Sequence, residues 1–414
     1  MEVVEASPDL INKLPEHLLC SIISYLPTKE AIATSIFSKY WKFLWKSLSR
    51  LSLNLPQDQV LVDRILSSQV GKNIELFHMN HLPQDWSTSN NNMKRWINHL
   101  KNKKRLQGIS LYCDKNNYRS FLPRSIFHGR FLQVVELKEY VLTDASPFEG
   151  CVNVKTLKLI AIHLKDKTLN DIVRNCTSLE NLSLNDCSKL NIDIIHHKKL
   201  KIIEIRDIDI MKFTLVSESL TELVFEPNFC YSSKKSHIAC PNLRVLRTNS
   251  KELLEWCTGL RPCRDYERYK YGIPLTEVRV LCTSLDLNNM NDNIVLNYIF
   301  RVWSHLQTLD ITNQVGKTLD YESAFRLEYW FWEMKELADS FTHHLRLVRI
   351  RGFTGKEREI RLVTHMIKNA CMLEKLEIQC SDGCSTQGAA ATQGLLLLPR
   401  ASINVSIVLN MPGD

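Results

Sequence analysis

The side chains with most scope for chemistry in this 414-residue chain are its thirteen cysteines and thirteen histidines. Their spacing argues against a reactive centre. Cys380 and Cys384 are separated by three residues and Cys257 and Cys263 by five, and neither pair has histidines near it. A structural zinc site needs four ligands in close pairs, so no metal or other cofactor is expected. His196-His197 and His343-His344 lack a carboxylate or cysteine at motif spacing and read as solvated or packed rings. No cysteine stands out as a nucleophile beside a base. The glycines never fall in the spacing of a phosphate-binding loop. Arg261, Arg264, Arg268 and Lys270 alternate with Tyr266, Tyr269 and Tyr271. That mixture could hold an anion or stack RNA bases; it also suits an exposed loop insertion. Lys101–Arg105 (KNKKR) reads either as solvated charge or as a nuclear signal. The chain is therefore expected to recognise partners and not to be an enzyme.

The elements that would present such recognition begin at residue 10. Leu14, Leu18, Leu19, Ile22, Ile23 and Leu26 recur at helical period after Pro15, and Pro27 stops the run. Pro15 suits the first helical position, where its missing N–H costs nothing. Thr28 is placed to cap a second short helix, roughly 29–37, and Ser38 a third. In the third, Trp41, Leu44, Trp45 and Leu48 fall at i, i+3, i+4 and i+7. Some forty residues make a marginal core, so a plug of this size is expected to lean on a neighbour or a partner.

From about residue 48 one pattern recurs: apolar, two variable residues, apolar, one variable, apolar. Instances begin at Leu48, Leu106, Leu132, Val154, Leu179, Leu200, Leu220, Leu243, Leu275, Leu306, Leu345 and Leu373. In SLENLSLNDCSKL the apolar positions are Leu179, Leu182 and Leu184, followed by Cys187. Steps between Leu106 and Leu243 are about 20–26 residues, the period of leucine-rich repeats, and later steps stretch to about 30–39. One such unit cannot bury its strand alone, so neighbours should stack into a solenoid with a curved parallel sheet. The variable strand positions would then face a target. Candidates are Asn181, Asn185, Arg206, Glu222, Arg244, Arg279, Arg349 and Arg351. They mix both signs, which suits a protein surface better than a phosphate backbone.

The ordered set Leu14-Pro15, Leu26-Pro27-Thr28-Lys29, Thr34-Ser35, Ser38-Lys39, Trp41 and Leu44-Trp45 resembles the F-box of plant F-box proteins. It departs from that pattern at Phe37 and at Tyr40, which removes a positive charge. Residues 344–380 resemble the FBD domain that ends many plant F-box proteins with leucine-rich repeats. The matching features are Val348, Ile350, Gly352-Phe353, Gly355, Glu359, a helix through Leu362, Val363, Met366, Ile367 and Ala370, and Leu373–Leu376. Gly352 and Gly355 read as a turn between strand and helix, and INVSIVL near the end as a last strand. Between the repeats and this region, YESAFRLEYWFWEMKEL (321–337) sets Phe325, Tyr329 and Trp332 on one helical face, for core packing or for a partner-binding knob.

The resemblance implies an α/β chain in four parts: a flexible 1–9, an F-box at 10–50, a leucine-rich-repeat solenoid at 51–340 and an FBD-like cap at 341–414. It also implies the substrate-recognition subunit of a Skp–cullin–F-box ubiquitin ligase. A Skp-family adaptor would sit on Leu14, Pro15, Leu18, Ile22, Leu26, Pro27, Leu44 and Trp45, and would bring the cullin and the RING protein with it. The alternatives are a repeat scaffold not engaged with the ligase, or an RNA- or anion-binding protein. Composition is that of an ordinary soluble protein, 44% hydrophobic and 24% charged, with a diffuse net charge of +8. No apolar run approaches membrane-spanning length, so no membrane partner is expected. The acidic MEVVEASPD start has no basic n-region. Reduced cysteines in the nucleus or cytoplasm are the corresponding expectation.

Overall fold

The structure, a computed structural model, describes residues 11–37, 41–53, 59–80, 86–113, 122–195, 197–230, 237–257, 275–314 and 342–411. Ser38, Tyr40, His196, Cys263, the 261–271 arginine–tyrosine cluster and the aromatic 321–337 segment lie outside the described residues. Two compact units divide the chain, Met1–Ser188 and Lys189–Asp414.

The first unit opens with the helices Glu16–Ile23, Thr28–Ala33 and Trp41–Leu44. Pro15 and Pro27 are the residues before the first two helices, both in extended conformation. Thr28 is therefore the first residue of its helix and not its cap. The second helix ends at Ala33 and continues as a tighter turn through Thr34–Ile36, and the third passes into another at Trp45–Ser47. Six parallel strands follow in sequence order: Arg50–Leu53, Leu76–Met79, Gly108–Tyr112, Val134–Lys138, Thr156–Ile160 and Asn181–Asn185. Their alternate residues form one buried layer, in which Phe77 pairs with Ile109, Val135 with Leu157 and Leu157 with Leu182. The second strand belongs to a repeat that the leucine pattern passes over, with Ile74, Phe77 and Met79 in the three apolar slots. Gln59–Ser68 and Asp166–Asn175 return the chain between strands, burying Val62, Ile65 and Leu66, and Leu169, Ile172 and Val173. Glu139, Ala161 and Asp186, each directly after a strand, have left-handed φ of 63°, 51° and 51°. That conformation turns the next residue, Tyr140, Ile162 or Cys187, back into the interior. Cys187 Sγ sits 3.5 Å from both the Leu159 and the Asn185 carbonyl oxygens, where a small buried donor satisfies backbone that leaves the sheet.

Among the described residues, the main sheet of the second unit has eight parallel strands: Ile202–Arg206, Glu222–Glu226, Val245–Thr248, Val280–Leu285, Thr308–Asn313, Leu347–Phe353, Lys375–Cys380 and Ser406–Asn410. Val245 pairs with Val280 and Thr248 with Thr283. The repeat assigned to Leu275 therefore begins at Val278, with Leu281 and Thr283 in the next slots. Residues 342–411 extend the same sheet by three strands, Thr308 pairing with Leu347, Leu347 with Lys375 and Lys375 with Ser406. Gly352, near the end of the first of these strands, and Gly355, between it and the helix Glu357–Asn369, adopt φ of 73° and 72°. A Cβ on Gly355 would meet the Gly388 carbonyl oxygen at 2.4 Å.

Glu359, wholly buried in the first turn of that helix, holds this turn. Its Oε1 accepts from Asn288 Nδ2 (2.6 Å), Asn313 Nδ2 (2.9 Å) and Thr354 Oγ1 (2.7 Å). Its Oε2 accepts from the backbone N–H groups of Thr354 (2.7 Å) and Gly355 (2.9 Å). A buried carboxylate persists only when its lone pairs are occupied in this way.

Candidate protein-interaction surfaces

The first helix has more apolar surface than its own core can use. Leu19 and Ile23 point inward and are buried. Leu18 and Ile22, each one residue earlier, lie about 100° around the helix and remain 43% and 53% exposed. Ile11, Tyr25, Ile36, Phe37 and Phe43 add exposed apolar surface on the adjoining segments. Phe37 meets Trp41 edge-on, at 5.9 Å between ring centres. Leu14, Leu26, Pro27 and Trp45 are half-buried and Pro15 is exposed. Leu44 differs from its sequence-based assignment to the surface: at 2% exposure it is a core residue that supports this face from beneath. Its position in the apolar i, i+3 pattern could not distinguish the two sides of so short a helix.

The helical plug is bonded to the first repeat. Ser52 N–H donates to Thr28 Oγ1 at 2.8 Å, and Ser49 N–H to Ser24 Oγ at 3.3 Å. Gln69 Nε2 donates to the Trp45 carbonyl at 3.2 Å, and Val70 N–H to the Lys46 carbonyl at 2.7 Å.

The strand positions facing away from the buried apolar layer form rungs across each sheet, and of these Ser110, Val224 and Asp310 are themselves buried. In the first unit the central rung runs Ser52, His78, Ser110, Glu136, Lys158, Ser183. Asn181 and Asn185 flank Ser183 on the same face, Asn181 Nδ2 reaching Thr156 Oγ1 at 3.4 Å. His78 and the residues around it were missed with their repeat; the apolar triplet Ile74, Phe77, Met79 was the signal that could have found them. His78 Nδ1 lies 2.9 Å from Ser110 Oγ, its ring stands edge-on to Tyr112 at 4.6 Å, and Tyr112 donates to Glu136. Burial lowers the His78 pKa, and Glu136 opposes that shift. Burial and the Glu136 hydrogen bond raise that of Tyr112.

In the second unit the central rung runs Glu204, Val224, Arg247, Cys282, Asp310, Arg349, Glu377, Val408. Most charged candidates are paired across strands. Arg206 pairs with Glu226, Arg247 with Glu222 at 3.5 Å, Arg349 with Glu377, and Arg351 with Asp310 at 3.0 Å. Lys375 and Arg349 together hold the Glu377 carboxyl below the usual carboxylate range. Arg244 and Arg279 sit on adjacent repeats just before their strands, Arg279 N–H donating to the Arg244 carbonyl at 2.8 Å. Their exposed guanidinium groups have no ionic partner among the described residues. Such a face can bind by matched charge and hydrogen bonding. Among the described residues no group of three or more His, Cys, Asp or Glu side chains could hold a metal.

Three family models match this chain. Residues 11–53 match the F-box domain, 337–378 match FBD, and 93–311, over half of the chain, match the leucine-rich repeats of "FBD-associated F-box protein At5g56370". The chain belongs to the plant F-box/FBD/LRR family. Similar Arabidopsis thaliana proteins include "F-box protein At1g80960", 24% identical over 90% of this chain and 84% of its own length. "F-box/LRR-repeat protein 13" is 24% identical over 97% and 96%. "F-box/FBD/LRR-repeat protein At5g56420" is 25% identical over 61% and 64%. An F-box domain implies a Skp-family partner in general, and F-box/LRR proteins are typically non-catalytic adaptors. The exposed apolar face described above lies within the matched F-box residues.

Proposed function

We propose that this F-box/FBD/LRR chain is the substrate-recognition subunit of a Skp–cullin–F-box ubiquitin ligase. The supporting observation is the helix with two apolar stripes. Leu19 and Ile23 complete the core, which leaves Leu18 and Ile22 without an internal role. A Skp-family adaptor covers them together with Leu14, Pro15, Leu26, Pro27 and Trp45, and links the chain to the cullin and RING protein. A target protein docks on the rung face of the repeat strands, with Arg244 and Arg279, which have no ionic partner among the described residues, as cationic contacts. The receptor holds the target near a ubiquitin-charged conjugating enzyme and supplies no catalytic side chain, so its contribution is effective concentration.

The test is co-expression of the full chain with a plant Skp-family adaptor, comparing the native protein with Leu18→Asp/Ile22→Asp on size exclusion. About half of each side chain remains to be buried, worth ~1 kcal/mol apiece, and two desolvated carboxylates add to the loss; affinity should fall at least ~100-fold. A native complex that survives the double substitution would place the adaptor elsewhere. A folded native chain that forms no complex would leave the unengaged repeat scaffold as the reading.

A further inference from the structure

The first strand of the first unit's sheet and the last described strand of the second unit's sheet have differently finished outer edges. In a parallel ladder the N–H and C=O of one residue point to the same side, and successive residues alternate sides. On the first strand, Leu76 N–H reaches Ser49 O, so Ser52 points away from its neighbour. Its N–H is taken by Thr28 Oγ1, and the plug closes that edge. On the last strand, Ser406 N–H donates to the Glu374 carbonyl at 2.9 Å. Ser406, Val408 and Asn410 therefore face the preceding strand, while Ile407 and Leu409 present their N–H and C=O outward.

Among the described residues, this edge lacks the charged side chains and prolines that commonly blunt exposed strands. No ionisable side chain occurs from Ala401 to Met411, and the strand itself holds no proline. Ile403 and Leu397, on the segments leading into it, are 95% and 89% exposed. The strand also reads almost alike from either end: polar, aliphatic, valine, aliphatic, polar (SIVLN).

We propose that Ser406–Asn410 is a homodimerisation site, at which a second copy of the chain adds its own Ser406–Asn410 antiparallel about Val408. Ser406 then lies opposite Asn410 and Ile407 opposite Leu409. Because the free backbone groups belong to residues 407 and 409, each Ile407–Leu409 pair exchanges two hydrogen bonds, and Val408 meets its own copy as a non-hydrogen-bonded pair. A strand in register with itself makes an isologous, closed two-fold interface, whereas an unrelated peptide has no reason to match this near-palindrome. The short strand predicts a weak dimer, below the ~1,200 Å² of a standard interface unless Leu397 and Ile403 contribute.

Sedimentation velocity on the full chain over rising micromolar concentration tests this, with hydrogen exchange at Ile407 and Leu409 read at both ends of the range. A concentration-dependent dimer with protection of those two amides is expected. Val408→Lys sets two ammonium groups face to face at the two-fold axis and leaves every hydrogen bond of the monomer intact. Leu409→Pro deletes an outward N–H that makes no bond within the monomer, and also fixes φ at that residue. Each should weaken the dimer at least ~10-fold. Monomers at all concentrations, or a dimer unaffected by Val408→Lys, would overturn the proposal; if Leu409→Pro fails to fold, Val408→Lys decides alone.

Discussion

Replacing Glu359 by glutamine changes one atom and tests the account of the turn that joins the last helix-bearing repeats. The glutamine side chain has two placements. If its NH₂ takes the place of Oε2, it faces the N–H groups of Thr354 and Gly355, fixed backbone donors that cannot turn away. If it takes the place of Oε1, it faces Asn288, Asn313 and the Thr354 hydroxyl. The hydroxyl can rotate and the Asn288 amide can flip. Asn313 cannot, because its Oδ1 accepts from Leu287 N–H at 2.9 Å and its Nδ2 also donates to the Gly352 carbonyl at 3.0 Å. The second placement therefore loses one buried bond outright and weakens four others from charged to neutral. With ~1–3 kcal/mol for an orphaned buried donor, partly offset by no longer burying a charge, the net cost is roughly 2–3 kcal/mol. That corresponds to a fall in melting temperature of about 5–10 °C for a domain of this size. Glu357→Gln, two residues earlier on the exposed surface and paired with Arg361, is the control, with a cost below ~0.5 kcal/mol. The assay is thermal and urea unfolding of the full chain, with hydrogen exchange at Thr354 and Gly355. Equal stability of Glu359→Gln and Glu357→Gln would refute the reasoning, since it would mean that the donors around residue 359 are satisfied without the carboxylate.

Two further outcomes follow from the same geometry. Gly355→Ala combines a φ of 72° with a Cβ only 2.4 Å from the Gly388 carbonyl oxygen; it should destabilise by at least ~2 kcal/mol in urea titration, and a near-neutral result would mean that the 354–388 contact is soft. The ring of His78 should titrate below its free value of 6.5, because burial disfavours the cation; the unfolded chain then takes the proton first, so this histidine's contribution to stability is lost as pH falls below 6.5. Histidine proton resonances followed through that range check it, and a value above 6.5 would show that Glu136 outweighs burial.

The backbone period of this fold is legible in its sequence because every repeat must bury the same alternating positions. Where the reading slipped, chemistry interchangeable inside a core was the reason. Ile74, Phe77 and Met79 fill the apolar slots as well as leucines do, but they break the leucine count, and His78 was lost with them. At Leu275 the reverse occurs: LTEVRV fits the apolar pattern better than the true VRVLCT. Strand pairing sets the register three residues later because a buried threonine, Thr283, occupies a slot that Thr248 fills next door. The Glu359 site could not be assembled from sequence, since its donor Asn288 lies 71 positions away. The split of the first helix into inner Leu19/Ile23 and outer Leu18/Ile22 depends on where the plug rests, which one amphipathic stripe does not specify.

That resting place bears on mechanism. A receptor that works by proximity gains little if its two binding surfaces are joined by a slack tether, because effective concentration falls as the linker samples more space. Here no slack separates the Trp45–Ser47 turn from the strand at Arg50. Ser24, Thr28 and the carbonyls of Trp45 and Lys46 all bond to backbone or side chains of the first repeats. Thr28 serves twice, starting its own helix and occupying the outward N–H of Ser52. Thr28→Val keeps the volume and removes the hydroxyl, leaving Ser52 N–H without that acceptor beneath a buried methyl group. The exposed apolar face of the plug is thus tied to the first repeats of its own unit by bonds made at residues 24–52.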